Sequence, residues 1–484
     1  MSYLELLKLA SPEAVVVVTA LVVLAVGLTK SNSATICSVL AATGLAIAVG
    51  AVLMLPAHAN LFGGMLIISP LNSLFKMICL GLAFVTVPLM PSEKSLRNPG
   101  EYLAMLLLAT VGLLLLVGSE ELLMIFIGLE LLGLSLYVMA AFDKTDVRSA
   151  EAGLKYFLFG STASAFTLFG ISLVYGMSGS TALASVAQKL SSGSVPPVLA
   201  AGIVMTLIGF AFKIAAAPFH LWAPDAYQGA PIPSAAFIAS GSKVASFVVL
   251  GKIVLVGFGP LVGSSAWHAM MAGWSPVLAA LSALSILLGN FVALAQTNVR
   301  RLLAYSAVAH GGYTLVGIVA GGREGFSATL FYTTIYAITL VGAFAVVGMV
   351  KSETGGDDLQ NFAGLGSRSP LAAACMSIFM LSLAGLPPLA GFFGKFYLFS
   401  VAFQAGGNHG LLWLVIVALF GSFVSLYYYL IVLRAIFVDK ESVPDTRHTS
   451  HFVATATMAV LAAAVLLLGV MPQALVARVI ASLP

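Results

Sequence analysis

The chain has 484 residues, 60% of them hydrophobic and only 8% charged, and its mean hydropathy is +1.06. Soluble domains carry about 25% charged residues, so a soluble globule is excluded and the chain reads as a polytopic membrane protein. The formal net charge of +4 calls for no nucleic-acid partner, because lysines and arginines between the apolar stretches account for it.

The start, MSYLELLKLASPEAVVVV, lacks a basic leader and an A-x-A-like site, so no cleaved signal is expected. A helix needs about 20 apolar residues to cross a bilayer. Fourteen stretches qualify, with cores at 13–30, 34–54, 73–90, 102–118, 120–141, 154–177, 198–222, 233–256, 276–296, 300–320, 327–350, 371–402, 410–434 and 452–475. No alternating ten-residue pattern suggests a membrane barrel. Between the second and third stretches, NLFGGMLIISPLNSLF is apolar but broken by Gly and Pro, and reads as a loop or re-entrant piece. No polar linker divides the chain. The expectation is one all-α membrane domain, with three leading helices in 1–95, five-helix units in 100–256 and 276–440, and a last helix in 450–484.

Orientation follows from the placement of lysine and arginine. With the N-terminus outside, Lys30, Lys94, Arg97, Lys144, Arg148, Arg300, Arg301, Lys351, Arg368, Arg434, Lys440 and Arg447 fall inside. Lys8, Lys189, Arg323 and Arg478 fall outside. Fourteen spans then place the C-terminus outside as well.

Six basic residues remain within or at the ends of spans: Lys76, Lys155, Lys213, Lys243, Lys252 and Lys395. Lys76 and Lys155 stand near span ends, where a lysine can snorkel. Lys252 lies nine residues beyond Lys243, about 13 Å along a helix, and is expected to approach the outer interface. Among the acids, Glu130 falls in the middle of a span. Ionisable groups at bilayer depth cost roughly 2.5–3.5 kcal/mol on insertion scales and commonly mark ion or proton paths. Glu130, Lys213, Lys243 and Lys395 therefore form the central constellation. The competing reading is static ion pairing, but one carboxylate neutralises at most one of three lysines.

Backbone breaks accompany two of these lysines. In GFAFKIAAAPFHLWAPDAYQGAPIP, Pro218 lacks an N–H, so the Ile214 carbonyl loses its helical partner. In LAGLPPLAGFFGKFYLF, Pro387 and Pro388 do the same for Leu383 and Ala384. Interrupted spans are tolerated where they line a cavity or are packed in protein, and in transporters paired breaks point to the binding site. These breaks fall in spans 7 and 12, five spans apart. That predicts two inverted five-helix repeats, spans 4–8 and 9–13.

Redox chemistry leaves no mark. Cys37, Cys79 and Cys375 lie in separate spans with no C-x-x-C, and no dinucleotide or Walker loop is present. His448 and His451, in RHTSH, read as part of a solvated inner loop. His310, in YSAVAHGGYTL, lies mid-span between the proposed repeats; a core histidine and a proton-passing one both fit. His220 follows the Pro218 break and is placed beside the same cavity. Asp225 is expected in the inner loop, where it would attract cations.

The stretches AFKIAAAPFHLWAPDAYQGAPIPSAAFIASGSKVASF, GLELLGLSLYVMAAF, TNVRRLLAYSAVAHGGY and GLPPLAGFFGKFYLF resemble the antiporter-like subunits of proton-pumping NADH:quinone oxidoreductase, respiratory complex I. The resemblance spans nearly the whole chain and is strongest to the N-type branch, which carries a lysine where this chain has Lys395. It implies that Glu130 pairs with Lys213, that Lys243 bridges, and that Lys395 serves the other half-channel. It also matches Glu151 and Lys155 to polar residues at the start of the sixth span; these two, with His310 and His220, are expected to form a secondary proton path. It implies a translocase subunit that carries protons and holds no cofactor of its own. NADH, FMN, iron–sulfur clusters and quinone would be handled by other subunits. The implied partners are neighbouring membrane-arm subunits, other antiporter-like ones among them, in a bacterial inner membrane. A subunit of a cation/proton antiporter and a non-pumping scaffold remain as alternatives.

Overall fold

The structure is a computed structural model that describes residues 3–29, 34–93, 96–191, 196–405, 409–439 and 452–483. Lys30, Lys94, Lys440, Arg447, His448 and His451, used above for orientation or loop assignment, lie outside the described residues. Within them, twelve helices are long and apolar enough to cross a membrane. Spans 1 to 6 are Ser11–Thr29, Ala34–Leu53, Pro70–Met90, Pro99–Gly118, Leu122–Ala140 and Val147–Ser178. Span 8 is Ile232–Gly257; spans 9 to 11 are Trp274–Ala293, Val299–Ala320 and Gly322–Thr354; spans 13 and 14 are Leu412–Phe437 and Phe452–Val470. Spans 7 and 12 are each split, into Pro197–Lys213 with Trp222–Gly229 and into Pro370–Ala384 with Ala390–Gln404. A short helix, Gln473–Ser482, follows span 14.

The span starts carry the polar residues that helix N-termini need. Glu121 accepts from the Leu123 and Met124 amides at span 5, Asp146 from Arg148 at span 6, and Asn298 from Arg301 at span 10. Spans 6 and 11 end on Gly179 and Gly355, whose φ values of 70° and 79° suit the left-handed turn that closes a helix.

Span 4 packs along span 5 as span 9 packs along span 10, and long spans 6 and 11 each brace the broken span that follows. An odd number of crossings turns the second unit over relative to the first. Spans 8, 10 and 11 are almost wholly buried, whereas spans 1, 2 and 14 present most of their surface outward. The molecule's core is thus the seam between the two units.

Three places outside the seam take a more definite form than the sequence suggested. NLFGGMLIISPLNSLF, expected as a loop or re-entrant piece, holds most of an antiparallel hairpin, β1 Ala59–Leu61 with β2 Leu66–Ile68, pairing Ala59 with Ile68. Gly63 and Gly64, at φ 69° and 94°, make its turn, and alternate residues Leu61, Leu66 and Ile68 bury a small apolar cluster. Lys76 does not snorkel, being 3% exposed with its amine 2.6 Å from Glu13 of span 1. Lys252 is near the C-terminal end of span 8 but buried, donating to Asn72 Oδ1 at 2.5 Å and to the Val117 carbonyl at 2.8 Å. Lys252 turns inward because the C-terminal end of span 4 offers unpaired carbonyls, which attract cations, and Lys76 because Glu13 offers a carboxylate.

Candidate functional site

Span 7 stops at Lys213 because Ala215 takes a φ of 57° and Pro218, joined through a cis peptide to Ala217, follows. The freed backbone is shared among neighbours. Trp222 Nε1 donates to the Phe212 carbonyl at 3.0 Å, and the Ala217 amide donates to Ser285 Oγ of span 9 at 2.9 Å. The Ile214 carbonyl faces Gly311 of span 10, where a side-chain carbon would stand only 3.2 Å away.

Lys213 is 5% exposed and its amine has no hydrogen-bond partner among the described residues. It rests 5.4 and 5.8 Å from the ring centres of Tyr137 and Tyr156. Glu130 accepts a short hydrogen bond from Ser164 of span 6. Glu130 and Lys213 therefore do not form the expected ion pair in this conformation: the carboxylate is turned to a hydroxyl and the ammonium to aromatic faces. Both line one cavity of about 10 Å3, with Phe126, Thr167 and Gly209 among its walls. That is close to the space of a single water.

Span 8 is interrupted at Ser240, three residues before Lys243, with no proline to announce it. Lys243 is 1% exposed; its Nζ donates to the Ala307 carbonyl of span 10 at 2.6 Å and lies 5.5 Å from the Tyr336 ring centre. One turn further along span 10, His310 is held at both ring nitrogens. Nδ1 meets the Tyr332 hydroxyl at 2.6 Å and Nε2 the Tyr429 hydroxyl at 2.9 Å. Its ring stacks on Tyr336 at 4.9 Å and meets Tyr313 edge-on at 5.5 Å.

On the far side, Lys395 Nζ donates to the Ala384 carbonyl and to Ser422 Oγ of span 13, each at 3.0 Å, and stands 5.1 Å from the Tyr313 ring centre. Ala384 closes the first half of span 12, so the carbonyl released at Pro387 and Pro388 is the one that receives the lysine. Tyr336 lies between Lys243 and His310, and Tyr313 between His310 and Lys395. These tyrosines were missed from sequence. Their only signal there is an aromatic hydroxyl in the middle of an apolar span, which packing explains equally well.

At one end of the seam, Asp225 of the short helix after the span-7 break bridges both units. It accepts from Lys155 of span 6 at 2.7 Å and from Arg301 of span 10 at 2.6 Å. Glu151 stands 2.5 Å from Lys155. Beside this clamp, Arg300 pairs with Asp357 at 2.5 Å and donates to the Ala230 carbonyl at 2.8 Å. His220 is buried, 6.3 Å from the Tyr305 ring centre, and is not among the residues lining the Lys213 cavity.

A family profile described as NADH:quinone oxidoreductase/Mrp antiporter, TM, matches residues 119–425, a range that holds every residue of the central constellation. The chain is 46% identical to NADH-quinone oxidoreductase subunit N 2 of Acidobacterium capsulatum, over 98% of each chain. The chain belongs to the subunit N family of NADH-quinone oxidoreductases. The family's subunit N of Desulfovibrio desulfuricans is 39% identical over 96% of this chain and 94% of its own. Among solved structures, a chain of respiratory complex I from Thermus thermophilus with bound Aureothin superposes with a TM-score of 0.80 at 33% identity, covering 96% of this chain and 98% of that one. A chain of the Mrp complex from Dietzia sp. DQ12-45-1b reaches a TM-score of 0.86 at 22% identity, over 99% and 97%, so the two chains share a fold.

Proposed function

We propose that this chain is a proton-translocating membrane-arm subunit of an NADH:quinone oxidoreductase, in which protons move along Glu130, Lys213, Lys243 and Lys395. Oxidation of NADH and reduction of quinone, with FMN and iron–sulfur clusters, belong to other subunits of the assembly. The observation that carries this reading is the seam itself. Three buried lysines each stand beside an interrupted helix, with His310 and its tyrosines filling the interval from Lys243 to Lys395. Burial makes the charged form of an amine more costly and a nearby carboxylate makes it less so, so movement of Glu130 relative to a lysine shifts a proton. Glu151, Lys155 and Asp225 supply a polar cluster at the inner end, and His220 stands in the break above it.

Glu130→Gln separates this reading from a scaffold role. The variant keeps shape and loses charge, so a scaffold assembles and functions unchanged. A proton carrier assembles but pumps several-fold more slowly per quinone reduced in sealed vesicles. Normal pumping at full assembly removes Glu130 from the path. Sodium uptake in place of proton uptake in the same vesicles would favour the cation antiporter reading.

The arrangement of loop charges further supports an inner-membrane protein with both termini on the periplasmic side. A reporter fused after Pro484 is expected to be active in the periplasm. Activity in the cytoplasm would reverse the side assigned to every loop.

A further inference from the structure

Buried polar groups in proteins nearly always have hydrogen-bond partners, and each exception calls for an explanation. Among the described residues, the hydroxyls of Tyr156, Tyr227 and Tyr336 are buried without one. The three are not scattered. The Tyr156 ring faces the Lys213 amine at 5.8 Å and the Tyr336 ring faces the Lys243 amine at 5.5 Å. Tyr227 is fully buried, on the short helix whose Trp222 packs on Tyr156 and against span 11, which carries Tyr336.

We propose that Tyr227 is a proton-carrying residue joining Lys213 to Lys243, with the Tyr156 and Tyr336 hydroxyls on either side of it. The inference rests on the reading of this chain as a proton translocator and fills the one interval of that path for which no carrier has been named. Tyr227 is well placed to be a fixed stepping point. Its short helix is tied at one end by Trp222, whose indole donates to the Phe212 carbonyl beside Lys213 and whose ring stacks on Tyr156 at 4.2 Å. Asp225, two residues before Tyr227, is clamped by Lys155 and Arg301. The Tyr227 ring meets Phe344 of span 11 edge-on at 5.9 Å, on the helix that carries Tyr336.

A phenol both donates and accepts. An N–H bond of the Lys213 ammonium breaks as its proton passes to a phenol oxygen. That phenol's own O–H bond breaks as its proton moves on, and the last proton forms an N–H bond on neutral Lys243. Each phenol begins and ends neutral, Lys213 ends as an amine and Lys243 as an ammonium. Where two hydroxyls stand beyond direct reach, an ordered water bridges them at little cost.

Packing alone gives the opposite expectation for mutation. A buried hydroxyl without a partner destabilises the fold, so phenylalanine would serve the core at least as well. The test uses the whole complex reconstituted in sealed vesicles, with Tyr227→Phe, Tyr336→Phe and Lys213→Arg side by side. Tyr227→Phe is expected to assemble with an unchanged or raised thermal midpoint while proton pumping falls by about tenfold or more. Tyr336→Phe should show the same pattern, and combining the two should cost no more than the larger single loss, because they lie on one path. Pumping at the wild-type rate in Tyr227→Phe overturns the proposal. If Tyr227→Phe does not assemble, Tyr336→Phe decides in the same way. Loss of pumping in Lys213→Arg alone leaves the translocator reading standing without the tyrosines. Normal pumping in Lys213→Arg removes proton release by Lys213 from the mechanism, and with it the path on which this proposal rests.

Discussion

Lys213→Arg is expected to assemble and to lose proton pumping by about tenfold or more in sealed vesicles. Arginine keeps a positive charge in the same cage of aromatic faces, and guanidinium stacks on such faces as well as an ammonium does. What arginine cannot do in a protein is give up its proton. A role limited to charge, such as holding helices in register, is therefore preserved, while a role in transfer is lost. The geometry says why release is within reach at this position. The Lys213 amine makes no hydrogen bond among the described residues, and Glu130 is turned away towards Ser164. A change of only about 1.4 kcal/mol in the balance between burial and a carboxylate shifts proton affinity tenfold. Closing or opening the gap across a cavity of about 10 Å3 is a small rearrangement, and the break after Lys213 gives the backbone freedom to make it. Pumping at the wild-type rate in Lys213→Arg would remove proton release by this side chain from the mechanism.

The spans were legible because burial in a bilayer writes itself as length and apolarity, residue by residue. The seam between units was legible in part, because lysines at bilayer depth and prolines within spans are rare enough to stand out. Partners were much less so. Lys76 looked like a snorkelling residue and Lys252 like one approaching the outer interface, yet both are buried in the protein. What draws them in is the end of span 4 and the carboxylate of Glu13, which come from other parts of the chain. The same holds for Arg300 and Arg301. As adjacent inner-loop charges they fit a topology rule, but one pairs with Asp357 and the other with Asp225. No pattern in the sequence distinguishes the two.

The Glu130–Lys213 pair shows a different limit. Residue types and spacing, together with the family resemblance, brought the two side chains to one cavity, and they are there. Whether they touch depends on rotamers and on the conformation adopted, which composition does not encode. The tyrosines were missed for a third reason. Tyr313, Tyr332, Tyr336 and Tyr429 come from three spans, and only the packed bundle reveals that all four surround His310. The strands of the hairpin between spans 2 and 3 were not foreseen because they have three residues each, too few for alternation to register.

Lys395→Arg is the counterpart in the second unit, and it is expected to stop pumping as completely as Lys213→Arg while perturbing the local structure more. Lys213 has no bonded partner to lose. Lys395 Nζ holds the Ala384 carbonyl at the break of span 12 and Ser422 of span 13, both at 3.0 Å. The room is limited: a side-chain carbon on Gly385 would stand 3.0 Å from Lys395 Cδ, so the larger guanidinium must displace the turn to keep those bonds. Leaving the buried Ala384 carbonyl unpaired instead costs about 1–3 kcal/mol. A modest fall in thermal midpoint is therefore expected with arginine, but not the loss of assembly. Lys395→Met supplies the control, since it vacates the carbonyl without adding bulk or fixed charge. If proton release from Lys395 is the essential event, both variants assemble and both fail to pump, although one carries a permanent charge and the other none. If charge alone matters, arginine pumps and methionine does not. If Lys395 only ties span 12 to span 13, both variants pump in proportion to the amount of complex assembled, and the half-channel assigned to the second unit has to be sought elsewhere.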